Sequence, residues 1–207
     1  MSKTRIYKIY LQLLKKYGLA NKFWKKWCQI KKTKGDKEEI LIGAILTQRT
    51  NWKNVELALK NLKEAKVLSI KKIYQLGNQR LLKSLIRPAG FYQQKAKRLF
   101  LLCRFIVTNY GSLEKFFEKD LEICRKQLLA LYGIGPETAD SILLYAGQKP
   151  IFVIDEYTRR FVKKYNLAKK FSYDFLQKLF QENLPKDVKI YQNFHALIVL
   201  DGKNEKH

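Results

Sequence analysis

Apolar residues recur at helical spacing along nearly the whole chain, which predicts an all-α protein of some nine or ten short helices. Tyr7, Tyr10, Leu11 and Leu14 mark one face of a first helix ending near Gly18. The lysine-rich stretch from Lys31 to Lys37 reads as a loop. From Glu39 to Gln48 the chain is apolar almost all round, the pattern of a helix buried at the centre of the protein. Val55, Ala58, Leu59 and Leu62 give a third helix, and Leu81, Leu82 and Leu85 a short one closed by Pro88 and Gly90. Ala96, Leu99, Phe100, Cys103 and Ile106 give a long one ending near Gly111, and later helices run over 173–182 and 188–200. Only Pro150 to Ile154 looks like a strand; five residues do not make a sheet, so it is expected as a buried extended connector.

Composition narrows the class. Of 207 residues 46% are hydrophobic, enough for one large core or two small ones. No apolar run approaches the roughly 20 residues that span a bilayer. The polar N-terminus, Met1 to Lys8, has no signal-like apolar segment after it, and a cytoplasmic address is expected. Lysine and arginine number 42 against 18 acids, a net charge of +24. Such a charge implies a polyanionic partner, because counterions are released as phosphates are neutralised; a surface that is merely lysine-rich is the alternative. A membrane partner is not expected. The three cysteines, Cys28, Cys103 and Cys124, form no CxxC pair and read as small buried hydrophobes in a reducing compartment.

The most informative stretch runs from Leu128 to Asp140. An apolar helix leads into Gly133-Ile134-Gly135, and a second helix starts with Pro136, where a missing N–H costs nothing. Two glycines around one apolar residue allow a sharp turn and a close approach to a ligand, while Ile134 plugs back between the helices. The freed N–H groups suit one phosphate and position a duplex without reading its sequence. An ordinary helical hairpin with a glycine C-cap is the alternative.

Leu129 to Arg160, with Gly133-Ile134-Gly135, Glu137-Thr138-Ala139-Asp140, Phe152-Val153-Ile154-Asp155 and Tyr157-Thr158-Arg159-Arg160, resembles the helix–hairpin–helix/Gly-Pro-Asp DNA glycosylase superfamily, endonuclease III branch. Ala44 to Gln48 with Thr50, and Arg87 to Tyr92 with Lys95-Ala96, resemble its two DNA-wedging segments, so the likeness spans Ile40 to Leu200. The resemblance implies two helical domains with the active site in the cleft between them. Residues 38–150 would form a helical barrel with the hairpin, and 1–37 plus 151–207 a second domain built from both termini. It implies Asp155 as the catalytic carboxylate, the choice that suits a sugar developing positive charge as its glycosidic bond breaks; serving as a helix N-cap is the alternative or an additional role. Gly133, Ile134, Gly135 and Thr138, with Arg49, Arg87 and Lys95, would hold the DNA backbone. Gln48 and Phe91 would insert into the duplex, although Gln48 could instead cap its helix and Phe91 could be core.

Two departures sharpen that implication. Bifunctional members carry a Schiff-base lysine where this chain has Glu137, so the resemblance implies a monofunctional glycosylase; Lys149 is a weak substitute. Relatives usually end in four cysteines holding a [4Fe–4S] cluster, but Lys206 stands at the place of the first and no cluster is expected. Cluster-free members with such a residue resemble 3-methyladenine DNA glycosylases, whose stacked aromatics hold an extruded and often cationic base. Trp52, Trp27 and Trp24 are the candidates for that pocket, with Trp24 equally a core residue. His195 reads as a packing residue on the last helix. The function implied is removal of damaged bases, alkylated purines foremost, from double-stranded DNA. A glycosylase/AP lyase acting on oxidised pyrimidines or mismatches is one alternative, and a non-catalytic DNA-binding module is another.

Overall fold

A computed structural model of the protein describes residues 4–76 and 79–204. In chain order the helices are α1 (Arg5–Tyr17), α2 (Lys25–Cys28), α3 (Lys34–Leu46), α4 (Trp52–Glu64), α5 (Ile70–Gln75), α6 (Gln79–Leu85), α7 (Tyr92–Tyr110), α8 (Leu113–Phe117), α9 (Leu121–Leu129), α10 (Pro136–Ser141), α11 (Glu156–Lys164), α12 (Tyr173–Asn183) and α13 (Val188–Asn204). Among the described residues there is no strand, and the all-α expectation holds. The number of helices exceeds the nine or ten expected, because α2, α5 and α8 are too short to show a period in sequence. No helix among the described residues is long and apolar enough to cross a membrane.

The chain divides into two compact units, Lys32–Ile142 and Met1–Lys31 with Leu143–His207. These boundaries fall six and eight residues before 37/38 and 150/151. At the first, the lysine-rich stretch is largely helix rather than loop. The Thr33 hydroxyl accepts from the Asp36 N–H at 3.2 Å, and the Asp36 carboxylate accepts from the Thr33 N–H at 2.9 Å. This capping box starts α3 at Lys34 in spite of the lysines around it. At the second, α10 widens into one turn of π-helix, Ile142–Ala146, that carries the chain from one unit into the other.

In the unit spanning 32–142, α3 is the central element: Ile40, Leu41, Ile42, Ile45 and Leu46 are fully buried, as its all-round apolar pattern predicts. The long α7 packs against α3, α5 and α6. In the other unit α13 holds the centre, buried from Tyr191 to Val199, with α1 and α11 packed on it. The buried face of α1 is Ile6, Ile9, Tyr10 and Leu13, rotated from the Tyr7, Tyr10, Leu11 and Leu14 face read from sequence. The connector from Ile151 to Ile154 is buried and extended without a sheet. Side chains from α12 satisfy its backbone instead: Gln181 accepts from the Phe152 N–H at 3.0 Å, and Gln177 donates to the Phe152 carbonyl at 2.7 Å.

Near the end of α13 the buried Asp201 joins three helices. Its Oδ1 accepts from Lys16 at 3.0 Å and from the Tyr17 hydroxyl at 2.7 Å, and its Oδ2 from Lys164 at 2.9 Å. Burial alone would push this carboxyl up, but the Tyr17, Lys164 and Lys16 contacts outweigh it and bring the pKa from 3.8 to about 2. A folded-state pKa below the unfolded value gives stability that is present above about pH 4 and lost as pH falls toward 2, worth about 2 kcal/mol. Asp201→Asn is therefore expected to lower the denaturant midpoint at neutral pH. The gap from wild type should narrow below pH 4 and close near pH 2, as chemical denaturation followed by circular dichroism at several pH values would reveal.

Candidate functional site

The hairpin is built as its sequence suggests. Gly133 has φ +76°, a left-handed conformation that glycine adopts freely. Ile134 is only 4% exposed and plugs the space behind the turn. Gly135 caps α10 and Pro136 occupies its first position. Arg125 on α9 grips Asp140 on α10 with two bonds, Nε to Oδ1 at 2.8 Å and Nη2 to Oδ2 at 3.2 Å, which locks the two hairpin helices together. Gln48, just past the end of α3, neither caps that helix nor projects freely. Its Nε2 donates to the Gly133 carbonyl and to the Thr138 hydroxyl, each at 3.0 Å, and its Oε1 accepts from Arg98 Nη1 at 2.6 Å. A Cβ placed on Gly133 would meet the Arg98 side chain, which would have to move, and the positive φ favours glycine in any case. Sequence reasoning missed Arg98. It stands among many cations on a basic chain, and only the fold brings it to the turn.

The other candidates in this unit separate into two kinds. Phe91 is 58% exposed with φ +44° at the start of α7, so it is a surface residue and not core. Arg87 is exposed beside it, and Arg49 is exposed with φ +52°. Trp52 opens α4 and donates to the Glu56 carboxylate at 2.8 Å. Glu137 is exposed in the first turn of α10.

Lys95 corrects the expectation of a phosphate contact. It is 1% exposed, and its ammonium donates to the Leu46 carbonyl at 2.8 Å and the Ala89 carbonyl at 2.7 Å, ending α3 and closing the turn before Gly90. Burial, helped by the nearby Arg98 charge, lowers its pKa from 10.5 to about 8. Between those values the unfolded chain binds the extra proton, so stability rises with pH from about 8 to 10.5. Lys95→Met is expected to abolish that rise in thermal melts. It should leave the dependence of DNA affinity on salt unchanged; a slope shallower by about one would return Lys95 to a phosphate.

In the unit built from both termini, Asp155 is the N-cap of α11. Its Oδ1 accepts from the Thr158 N–H at 2.7 Å and the Thr158 hydroxyl at 2.9 Å. Its Oδ2 lies 3.4 Å from His195 Nε2, and the side chain is 16% exposed. Burial pushes the carboxyl up, but His195 and the two Thr158 bonds outweigh it and hold the pKa below the ordinary 3.8. His195 is thus more than packing: it is 4% exposed, and its Nδ1 lies 2.7 Å from the Tyr145 hydroxyl. Trp24 and Trp27 gather around the same pair. Trp24 lies 5.9 Å from the Tyr145 ring and 6.1 Å from His195, and Trp27 lies 5.1 Å from Tyr145. Tyr145 escaped sequence reasoning because it reads as one apolar position in Ile142–Ala146.

The residues present do not fit an iron–sulfur cluster. Four thiolates are needed, and the chain has three cysteines. Cys103 and Cys124 are buried in one unit, with the Cys124 thiol donating to the Phe116 carbonyl, while Cys28 stands in the other unit against the Gln192 carbonyl. Among the described residues no group of three or more His, Cys, Asp or Glu side chains could hold a metal ion. Lys206 lies outside the described residues.

Residues 42–186 match the family model "HhH-GPD superfamily base excision DNA repair protein". MJ1434 of Methanocaldococcus jannaschii, whose own naming as a DNA repair glycosylase is provisional, is 47% identical over 197 residues, covering 94% of this chain and 85% of that protein. Endonuclease III of Thermotoga maritima is 29% identical over 153 residues, covering 74% and 68%. The crystal structure of Helicobacter pylori 3-methyladenine DNA glycosylase MagIII bound to 1,N6-ethenoadenine superposes with a TM-score of 0.85 at 31% identity, over 98% of this chain and 99% of that one. A trapped endonuclease III–DNA covalent intermediate shares the fold, with a TM-score of 0.76 at 20% identity. With its hairpin, its N-capping Asp155 and this match over most of its length, the chain belongs to the HhH-GPD superfamily of base excision DNA repair proteins.

Proposed function

We propose that this DNA glycosylase is monofunctional and hydrolyses the N-glycosidic bond of alkylated purines in double-stranded DNA. The observation that carries the reading is Asp155, a mostly buried carboxylate held ionised at the head of α11. As the bond to the base breaks, the deoxyribose takes on oxocarbenium character, and a fixed negative charge stabilises it. The same carboxylate orients the attacking water. Gly133 to Gly135 and Thr138 hold the backbone with Arg49 and Arg87, and Gln48 and Phe91 fill the stack that the extruded nucleotide leaves. Gln48 must release the hairpin to do so, exchanging the bonds it makes to Gly133, Thr138 and Arg98.

Trp24 and Trp27, gathered beside the partners of Asp155, favour a flat and electron-poor base, and alkylated purines are often cationic. Trp52 is proposed as a further aromatic contact for the extruded base. The bound ethenoadenine in the H. pylori relative points to the same class of ligand. An alkylated purine also leaves readily, so no strong general acid is needed. The enzyme is proposed to act as a monomer in the cytoplasm, at the nucleoid, and without a cluster.

Asp155→Asn is expected to bind abasic-site DNA as wild type does. It should lose at least about a hundredfold in base release from methylated genomic DNA, measured by chromatography of the freed bases. Undiminished release would remove the assignment. Glu137 stands where a Schiff-base lysine would form a covalent adduct, and a carboxylate forms none. Borohydride reduction during turnover should therefore trap no enzyme–DNA conjugate on a denaturing gel, whereas a trapped band would favour a lyase for oxidised pyrimidines or mismatches.

A further inference from the structure

Asp155 presents its two oxygens unequally. Oδ1 is occupied by the N–H and hydroxyl of Thr158. Oδ2 is the oxygen left for chemistry, and it faces His195 Nε2 at 3.4 Å. That nitrogen is buried and makes no hydrogen bond within the described residues, a state a native structure rarely leaves without a purpose. The ring cannot turn away easily, because Trp24 and Phe152 meet it edge-on at 6.1 and 6.3 Å. What Nε2 offers to Asp155 therefore depends on its tautomer, and the other ring nitrogen sets the tautomer.

Nδ1 lies 2.7 Å from the hydroxyl of Tyr145, which is fully buried in the π turn. Burial, with the Cys28 thiol and Asp155 nearby, keeps that phenol protonated far above its ordinary pKa. Its single proton has two acceptors within reach, Nδ1 at 2.7 Å and the Gln192 carbonyl at 3.3 Å, and the shorter contact favours Nδ1. A phenol donating to Nδ1 leaves the proton of a neutral imidazole on Nε2, aimed at Oδ2. Were Nδ1 protonated instead, a neutral ring would turn its Nε2 lone pair toward a carboxylate.

We infer that Tyr145 and His195 form a positioning pair for excision, in which the Tyr145 hydroxyl fixes His195 in the Nε2–H form so that it holds Oδ2 of Asp155 as an oriented, ionised oxygen. The inference rests on the reading of Asp155 as the catalytic carboxylate. Neither residue of the pair touches the reacting atoms, and with Nδ1 taken by the phenol and Nε2–H aimed at Oδ2 the ring has no lone pair left to serve as the base. Among the described residues the titratable groups facing His195 are Tyr145 from the π turn and Asp155 at the head of α11, with Cys28 from α2 near Tyr145. Further along α13 itself, Asp201 is neutralised by Lys16 and Lys164.

The chain has two histidines, so nitrogen-15 labelling of a His207→Asn variant leaves the His195 ring as one resolvable pair of signals. The Nε2–H tautomer is expected at neutral pH, giving way to a mixture in Tyr145→Phe; an Nδ1–H ring in the unaltered site overturns the inference. In single-turnover assays on methylated DNA, Tyr145→Phe and His195→Phe are expected to lose about tenfold or more in rate, with abasic-DNA affinity within about twofold. His195→Gln, which keeps an N–H close to Nε2, should recover most of the loss. The low-pH limb of the rate profile should also move up in Tyr145→Phe as Asp155 becomes easier to protonate. Wild-type rates in both folded variants overturn the pair's role. Where Asp155→Asn is dead and the pair variants are not, only this inference falls; where Asp155→Asn remains active, the reading of Asp155 falls with it.

Discussion

A carboxylate can stay charged away from water only where fixed dipoles and protons replace its hydration, and the site around Asp155 is organised by that demand. The extended connector before it is held by glutamines from α12, so the chain arrives at the head of α11 with its path already set. The helix then contributes the Thr158 N–H, and α13 contributes His195 from the other side. The connector and α13 are largely buried and apolar for other reasons. Together they leave Oδ2 of Asp155 without a backbone partner and facing the His195 ring.

The hairpin meets a different demand, that of bringing backbone close to a polyanion. Its rigidity comes from side chains outside the motif. Arg125 ties the two helices through Asp140, and Gln48 with Arg98 braces the turn from behind. Because Gln48 accepts from Arg98 and donates to both Gly133 and Thr138, the segment expected to enter the duplex is connected to the segment expected to grip it. A change at one is felt at the other through two polar contacts rather than through the core.

Sequence made some of this legible and hid the rest for physical reasons. The all-round apolar pattern of α3, the long α7 and the Gly-Ile-Gly turn follow from local periodicity and backbone rules, and they appear where expected. The start of α3 was hidden because a capping box of two residues outweighs a run of lysines that reads as loop. Lys95 looked like a phosphate ligand because one lysine in a basic chain resembles the next; only the fold reveals two carbonyls waiting for it. His195 and Tyr145 are fifty residues apart, and nothing local marks either one as the partner of Asp155.

The packing of Arg98 against Gly133 makes the tolerance of these two positions unequal. A smaller residue at 98 opens space beside the turn and gives up one bond to Gln48, whereas a side chain at 133 meets both the Arg98 side chain and a left-handed backbone. Position 98 can therefore change at the cost of one polar contact, while position 133 is held by its backbone. Loss of the arginine would leave the glycine needed for its conformation alone, so restoring a side chain at 133 would require the turn itself to be redrawn.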